Sequence, residues 1–248
     1  MTTILIRVVL AAVFTLSALV AGAKANTEVY DKVVVSTGII GVKRADGKPS
    51  VGTCWVVDHE RKLVITNNHV VGDINDAKMA FPTFRDGEVE HVMSDAGKAI
   101  GGKVLIRSVA RDLALVQLES LPANAKALPL ASKSARPGET VHSIGNSGAE
   151  NGVLWRYTRG QVRLVAQYQI KIETGMINAK VVETQAPINH GDSGGALVND
   201  KGEVVGVISA FNEKQRLVSW SIDVNEVREF LIYANKTEVT SVGQEARR

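Results

Sequence analysis

One serine of this 248-residue chain lies in a run of glycines, Gly191-Asp192-Ser193-Gly194-Gly195. A serine hydroxyl is a poor nucleophile until a base takes its proton. Glycines on both sides permit a tight turn that side chains would obstruct. Such a turn can aim the backbone N–H groups of Gly191 and Ser193 at one point, where they would hold the oxyanion of a tetrahedral intermediate. The same five residues also fit a plain turn between two strands, so the motif needs partners before it means chemistry.

The partner required first is a base, and the chain has five histidines. His59 and His91 sit in charged, polar stretches and read as solvated. His142 falls inside an apolar strand and fits a satisfied core histidine, while His190 follows the chain into the glycine turn and can point to solvent. His69 follows the apolar run Leu63-Val64-Ile65-Thr66 and the small polar pair Asn67-Asn68, so it stands where a strand opens onto a loop, a usual place for a group that faces a cleft. The base in turn needs an orienting acid. Asp112 heads the run Leu113-Ala114-Leu115-Val116-Gln117-Leu118. A carboxylate there is costly to bury unless paired; as acceptor for a histidine N–H it would fix the tautomer and stabilise the imidazolium. A solvated strand-end aspartate is the other reading of the same residue.

Other chemistries find less support. Net charge is +3 with no dense Lys/Arg stripe, which argues against a nucleic-acid partner. Arg156, Arg159 and Arg163 suit scattered strand positions. No HExxH or CxxC pair and no glycine-rich phosphate loop occurs, so neither metal nor cofactor is expected. The single cysteine, Cys54, cannot form an internal disulfide and reads as a small buried hydrophobe.

These residues must be positioned by a fold. Hydrophobic residues make up 45% and charged residues 22%, with abundant valine in short runs, which points to an all-β globular chain. Strands are expected at Val33-Val34-Val35, Ile39 to Val42, Cys54 to Val57, Leu63 to Thr66, Lys103 to Ile106 and Leu113 to Leu118. A second set runs through Val141 to Ile144, Gly160 to Ile170, Ile177 to Thr184, Ala196 to Val198, Val204 to Ala210 and Val218 to Ile222. Between the sets, residues 123–138 form a proline-bearing linker. Val224, Val227, Phe230 and Leu231 recur at helical spacing, with Asp223 or Asn225 able to cap, and this is the one helix expected. Two β-barrels side by side satisfy such a list, since closure removes exposed strand edges. Residues 1–25 read as a signal peptide: Arg7, an apolar stretch from Val8 to Val20, and Ala23-Lys24-Ala25 as the cleavage site before Asn26. An uncleaved anchor is the alternative, although the stretch is short of the roughly 20 residues of a membrane span. Either way the folded part is expected to be secreted or periplasmic, and off the membrane once the signal is removed.

Together ITNNHVV, RDLALVQL and NHGDSGGALV occur in the order His, Asp, Ser, and with VGTCWVVD, VHSIGNSG and TRGQV they resemble the chymotrypsin-like serine peptidases, most nearly the bacterial HtrA/DegP-type branch, over about Val33 to Leu231. The resemblance implies two six-stranded antiparallel β-barrels and a C-terminal α-helix, with a peptidase domain over 26–236 (first barrel about 26–122, second about 139–236) and a polar tail over 237–248. It implies Ser193 as nucleophile, His69 as general base then acid, Asp112 as orienting acid, and Gly191 and Ser193 as the oxyanion hole. Pro187, Ile188, Asn189, Ser209, Ala210 and Phe211 would line the substrate pocket, and with no acidic residue among them small or medium apolar side chains are the expected preference. Polypeptides of the extracytoplasmic space are the implied substrates; the oligomeric state is open. Only Thr237 to Arg248 follow the match, so the PDZ domain usual in that branch is not expected in this sequence. Asp192 stands where the branch often has Asn, and a buried Asp192 would need a backbone N–H cluster or an arginine such as Arg159 rather than an inserted N-terminus. A catalytically weak or inactive peptide-binding module on the same fold is the competing reading.

Overall fold

Alternation decides the architecture. In β2 (Pro49–Asp58) Cys54 and Val56 point to one face and Trp55 to the other; in β3 (Leu63–Thr66) Val64 opposes Leu63 and Ile65; in β8 (Leu113–Leu118) Ala114 and Val116 oppose Leu113 and Leu115. One set joins Ile40, Met79 and Val104 in the first core. The other set packs with Ile144, Val181, Val198, Val207 and Ile222 from later in the chain. These strands are therefore apolar on both faces because both are covered, each buried Leu, Ile or Val side chain being worth about 1.5–3 kcal/mol. Closure follows in the computed structural model, which describes residues 27–92, 99–172, 174–212, 214–215 and 217–245.

β1 (Thr37–Lys43), β2, β3, β8, β7 (Ile100–Ser108) and β4 (Asp76–Ala80) close one antiparallel barrel. β9 (Thr140–Gly145), β10 (Arg156–Ile172), β11 (Gly175–Thr184), β12 (Ala196–Val198), β13 (Val204–Phe211) and β14 (Ser219–Asp223) close a second around Val141, Val162, Val182, Leu197 and Ile208. Residues 119–139 carry no strand between them. A two-strand hairpin, β5 (Phe84–Arg85) and β6 (Glu88–Val89), turns on Asp86 and Gly87, both at positive φ (53° and 86°), as a two-residue hairpin turn demands. β4 has little strand-forming character, yet Ala77 and Met79 alternate inward while it pairs with β1 and β7, so tertiary packing rather than propensity makes it a strand.

The helices correct the sequence reading at three places. Residues 27–34 form a helix, α1, so Val33-Val34 are not in a strand. Three successive valines favour extended chain locally, but Val29, Val33 and Val34 share one helical face and all bury in the core between the barrels. Asn68–Val71 make a single turn, α2, that carries His69. The last helix, α3, spans Val224–Glu245 and continues through most of the segment read as a tail. Asp223 is its cap, accepting from the Asn225 N–H at 2.9 Å. The proposed signal segment lies outside the described residues.

Candidate active site

His69 stands at the end of β3, in the one turn of α2 whose neighbours Val70 and Val71 are buried and so fix its backbone. Asp112 closes the turn 109–112 ahead of β8 and is fully buried. Its backbone is left-handed, φ 51°, a conformation aspartate adopts more readily than most residues. One carboxylate oxygen accepts the His69 backbone N–H (2.9 Å), and the other faces His69 Nδ1 (2.8 Å) and accepts the Ser209 hydroxyl (2.6 Å). Asn67 Nδ2 donates to the Asp112 carbonyl at 2.8 Å. A carboxylate so placed keeps the proton of His69 on Nδ1, which leaves the Nε2 lone pair available as a base.

Ser193 faces His69 across a cavity of about 370 Å³ lined also by Arg44, Val51, Ile172, His190 and Phe211. Its hydroxyl donates to the Ser209 carbonyl at 3.3 Å and makes no hydrogen bond to His69. Such bonds are often loose without substrate and tighten when it binds. The loop that presents Ser193 depends on two glycines at positive φ, Gly191 (98°) and Gly194 (87°). A Cβ on Gly191 would meet the Asn146 carbonyl at 2.5 Å, and one on Gly194 would run into the Thr53 carbonyl. Thr53 straps the loop to the first barrel, its hydroxyl donating to the Gly191 carbonyl (2.7 Å) and its N–H to the Ser193 carbonyl (2.8 Å). Among the described residues the N–H groups of Gly191 and Ser193 have no acceptor, so this loop keeps two donors for an incoming oxygen.

Asp192 is buried beneath this loop. Its two oxygens accept the N–H groups of Ser147 and Asn189, each at 3.0 Å. The backbone N–H cluster is thus its partner, and the arginine whose charge reaches it is Arg156 rather than Arg159. Burial holds the Asp192 carboxyl above its ordinary range, against the N–H groups of Asn189 and Ser147 and the Arg156 charge. A carboxyl raised in the folded state binds its proton more readily there than in the unfolded chain. It therefore subtracts stability as pH rises from the unfolded value through the folded one. In urea unfolding, Asp192→Asn is expected to gain on the wild type as pH rises above the ordinary carboxylate range, about pH 4. A stability difference that does not change with pH would contradict this.

The six residues read as one substrate pocket are divided. Ser209, Ala210 and Phe211 line the cavity with Ser193 and His69. Pro187, Ile188 and Asn189 line an adjoining cleft of about 470 Å³ with Leu217 and Val218, and Phe211 borders both. The Ser209 hydroxyl is spent on Asp112. Ser209 is the extra residue of a β-bulge in β13 against β14, and a bulge re-aims the side chain it carries. No motif signalled this, nor the strap made by Thr53, whose only hint was a hydroxyl inside an apolar run. The remaining histidines lie elsewhere or on the rim. His142 is buried between the Tyr157 hydroxyl (2.7 Å) and Asp200 (2.8 Å), His91 meets the Leu154 carbonyl, His59 is exposed, and His190 stacks edge-on against Phe211. Cys54 is buried and its thiol is pushed up to about 12 by that burial, so it holds no reactive thiolate.

A family model described as the trypsin-like peptidase domain matches residues 52–207. The periplasmic serine endoprotease DegP of Salmonella typhimurium is 32% identical over 162 residues, 65% of this chain and 30% of the relative. Its Escherichia coli namesake is 30% identical over the same extent. The chain thus matches under a third of the length of these relatives. Among solved structures, an active-form protease from M. tuberculosis superposes with a TM-score of 0.69 over 84% of each chain at 21% identity, a likeness of fold.

Proposed function

The chain belongs to the trypsin-like peptidase domain family, and from that premise we propose that it is a serine endopeptidase acting through Ser193, His69 and Asp112. The observation that carries the reading is the pairing of His69 Nδ1 with buried Asp112 at 2.8 Å, in one cleft with the serine of the glycine loop. In the proposed cycle the Ser193 hydroxyl leaves the Ser209 carbonyl and attacks the scissile carbonyl carbon while its proton passes to His69 Nε2. Asp112 stabilises the imidazolium, and the N–H groups of Gly191 and Ser193 receive the oxyanion. His69 then protonates the leaving amine, which departs, and leaves an acyl-Ser193 ester that water hydrolyses through the same base.

The proposed substrates are polypeptides outside the cytoplasm, in keeping with a signal peptide over residues 1–25 and with the periplasmic place of the DegP relatives. The proposed peptidase unit runs from residue 26 through α3, with barrels divided near 123–138. Ser209, Ala210 and Phe211 bring no acid to the cavity, which favours small or medium apolar side chains before the scissile bond. Digesting an unfolded protein mixture and mapping the new termini by mass spectrometry tests this. Cleavage after residues such as Ala, Val or Leu is expected, and cleavage confined to Lys and Arg would overturn the preference. One observation favours the alternative of a peptide-binding module, namely that the Ser193 hydroxyl rests on Ser209 and not on His69.

A further inference from the structure

Asp112 holds its left-handed backbone in a turn that the first barrel does not secure alone. Within the turn, the Arg111 N–H meets Ser108 Oγ (3.3 Å) and the Asp112 N–H donates to the Val109 carbonyl (3.1 Å). From the first barrel, Asn67 Nδ2 holds the Asp112 carbonyl and the His69 N–H its carboxylate, and further contacts come from the second half of the molecule. Asn178 of β11 donates its N–H to the Ala110 carbonyl at 2.8 Å. Arg111 Nε donates to Glu226 Oε2 and Nη2 to Glu229 Oε2, each at 2.7 Å, and both glutamates are on α3. The second oxygen of Glu226 accepts the Lys180 N–H of β11 at 3.0 Å. Isolated surface ion pairs contribute little, but this one is a network: the Glu226 side chain is 17% exposed and each of its oxygens is engaged.

We infer that Arg111 is a positioning residue: its double ion pair to α3 holds the turn that carries Asp112, and through it the carboxylate that orients His69. The inference rests on the peptidase reading of Ser193, His69 and Asp112. Non-glycine residues leave the left-handed region readily unless their surroundings hold them there. Without Arg111 the turn keeps its ties to Asn67, His69 and Asn178 and loses α3. The carboxylate then moves relative to His69, while the packed barrels stay as they are.

The test compares the wild type with Arg111→Met, which keeps the apolar stem, Arg111→Lys, and Glu229→Gln, which removes only the more exposed arm. Arg111→Met is expected to lower kcat by about tenfold to a hundredfold, the scale that a misplacement of about 1 Å carries. KM stays within about twofold, because the ground-state contacts of the cleft are untouched. Arg111→Lys and Glu229→Gln lower kcat by less at an unchanged KM, so the inference stays testable if Arg111→Met does not fold. The low-field NMR resonance of His69 Nδ1–H reads the bond to Asp112 without turnover. It is expected to be present in the wild type and displaced or broadened in the variants. An unchanged resonance with unchanged kcat in folded variants would overturn the inference. A wild type that shows the resonance but cleaves nothing would sink the peptidase reading instead, and the resonance in the variants would still decide the role of Arg111.

Discussion

Ser193→Ala is expected to lower turnover of an unfolded protein substrate by about 10⁶, the scale found when the serine of a Ser-His-Asp triad is removed. The hydroxyl makes one hydrogen bond, to the Ser209 carbonyl, so its loss costs about 0.5–1.5 kcal/mol of stability and leaves the fold intact. The loop does not rely on that hydroxyl: Gly191, Gly194 and the two bonds from Thr53 set its course. Substrate affinity should change little. A full-length digestion assay over long times, with circular dichroism as the check on folding, measures the effect. Turnover within about tenfold of the wild type would mean that another group is the nucleophile.

Asp112→Asn is expected to lower kcat/KM by about 10⁴, the cost of a wrong histidine tautomer in serine peptidases. Each oxygen of Asp112 is an acceptor: one for the His69 N–H, the other for His69 Nδ1 and the Ser209 hydroxyl. An amide offers one acceptor and one donor. If its NH₂ faces the ring, Nδ1 must accept, the proton moves to Nε2, and the base is lost. If its NH₂ faces the His69 backbone, two N–H groups meet and the turn is strained. Either arrangement harms chemistry more than folding, so steady-state rates across pH and a thermal melt separate the two effects. A loss below about tenfold would show that His69 is oriented by something else.

How far the sequence could be read follows from what each feature depends on. The settings of three residues were legible, Ser193 among glycines, His69 at a strand end and Asp112 at a strand start, and the structure brings the three together. The strands were legible too, because β2, β3 and β8 are apolar on both faces and their runs are unbroken. Features set by distant contacts were not. Val33 and Val34 read as strand, and the inter-barrel core makes them helical. Ser209 read as pocket lining and does line the cavity, but the bond its hydroxyl makes to Asp112 through a β-bulge had no local signal. The strand at Asp76–Ala80 exists through its pairing with β1 and β7, which no local pattern announces. Arg111 heads the run RDLALVQL, but its ion pairs had no local signal because its glutamate partners lie more than a hundred residues along the chain.

The central claim is that Ser193 is a nucleophile activated by His69. The folded protein treated with a fluorophosphonate, then digested and mapped by mass spectrometry, tests it most directly. The account predicts a single adduct on the peptide bearing Ser193, lost when the protein is unfolded first and lost in His69→Ala. A folded protein that binds peptides yet takes no adduct, or takes it on another serine with Ser193 unmodified, would contradict the account and favour the binding module.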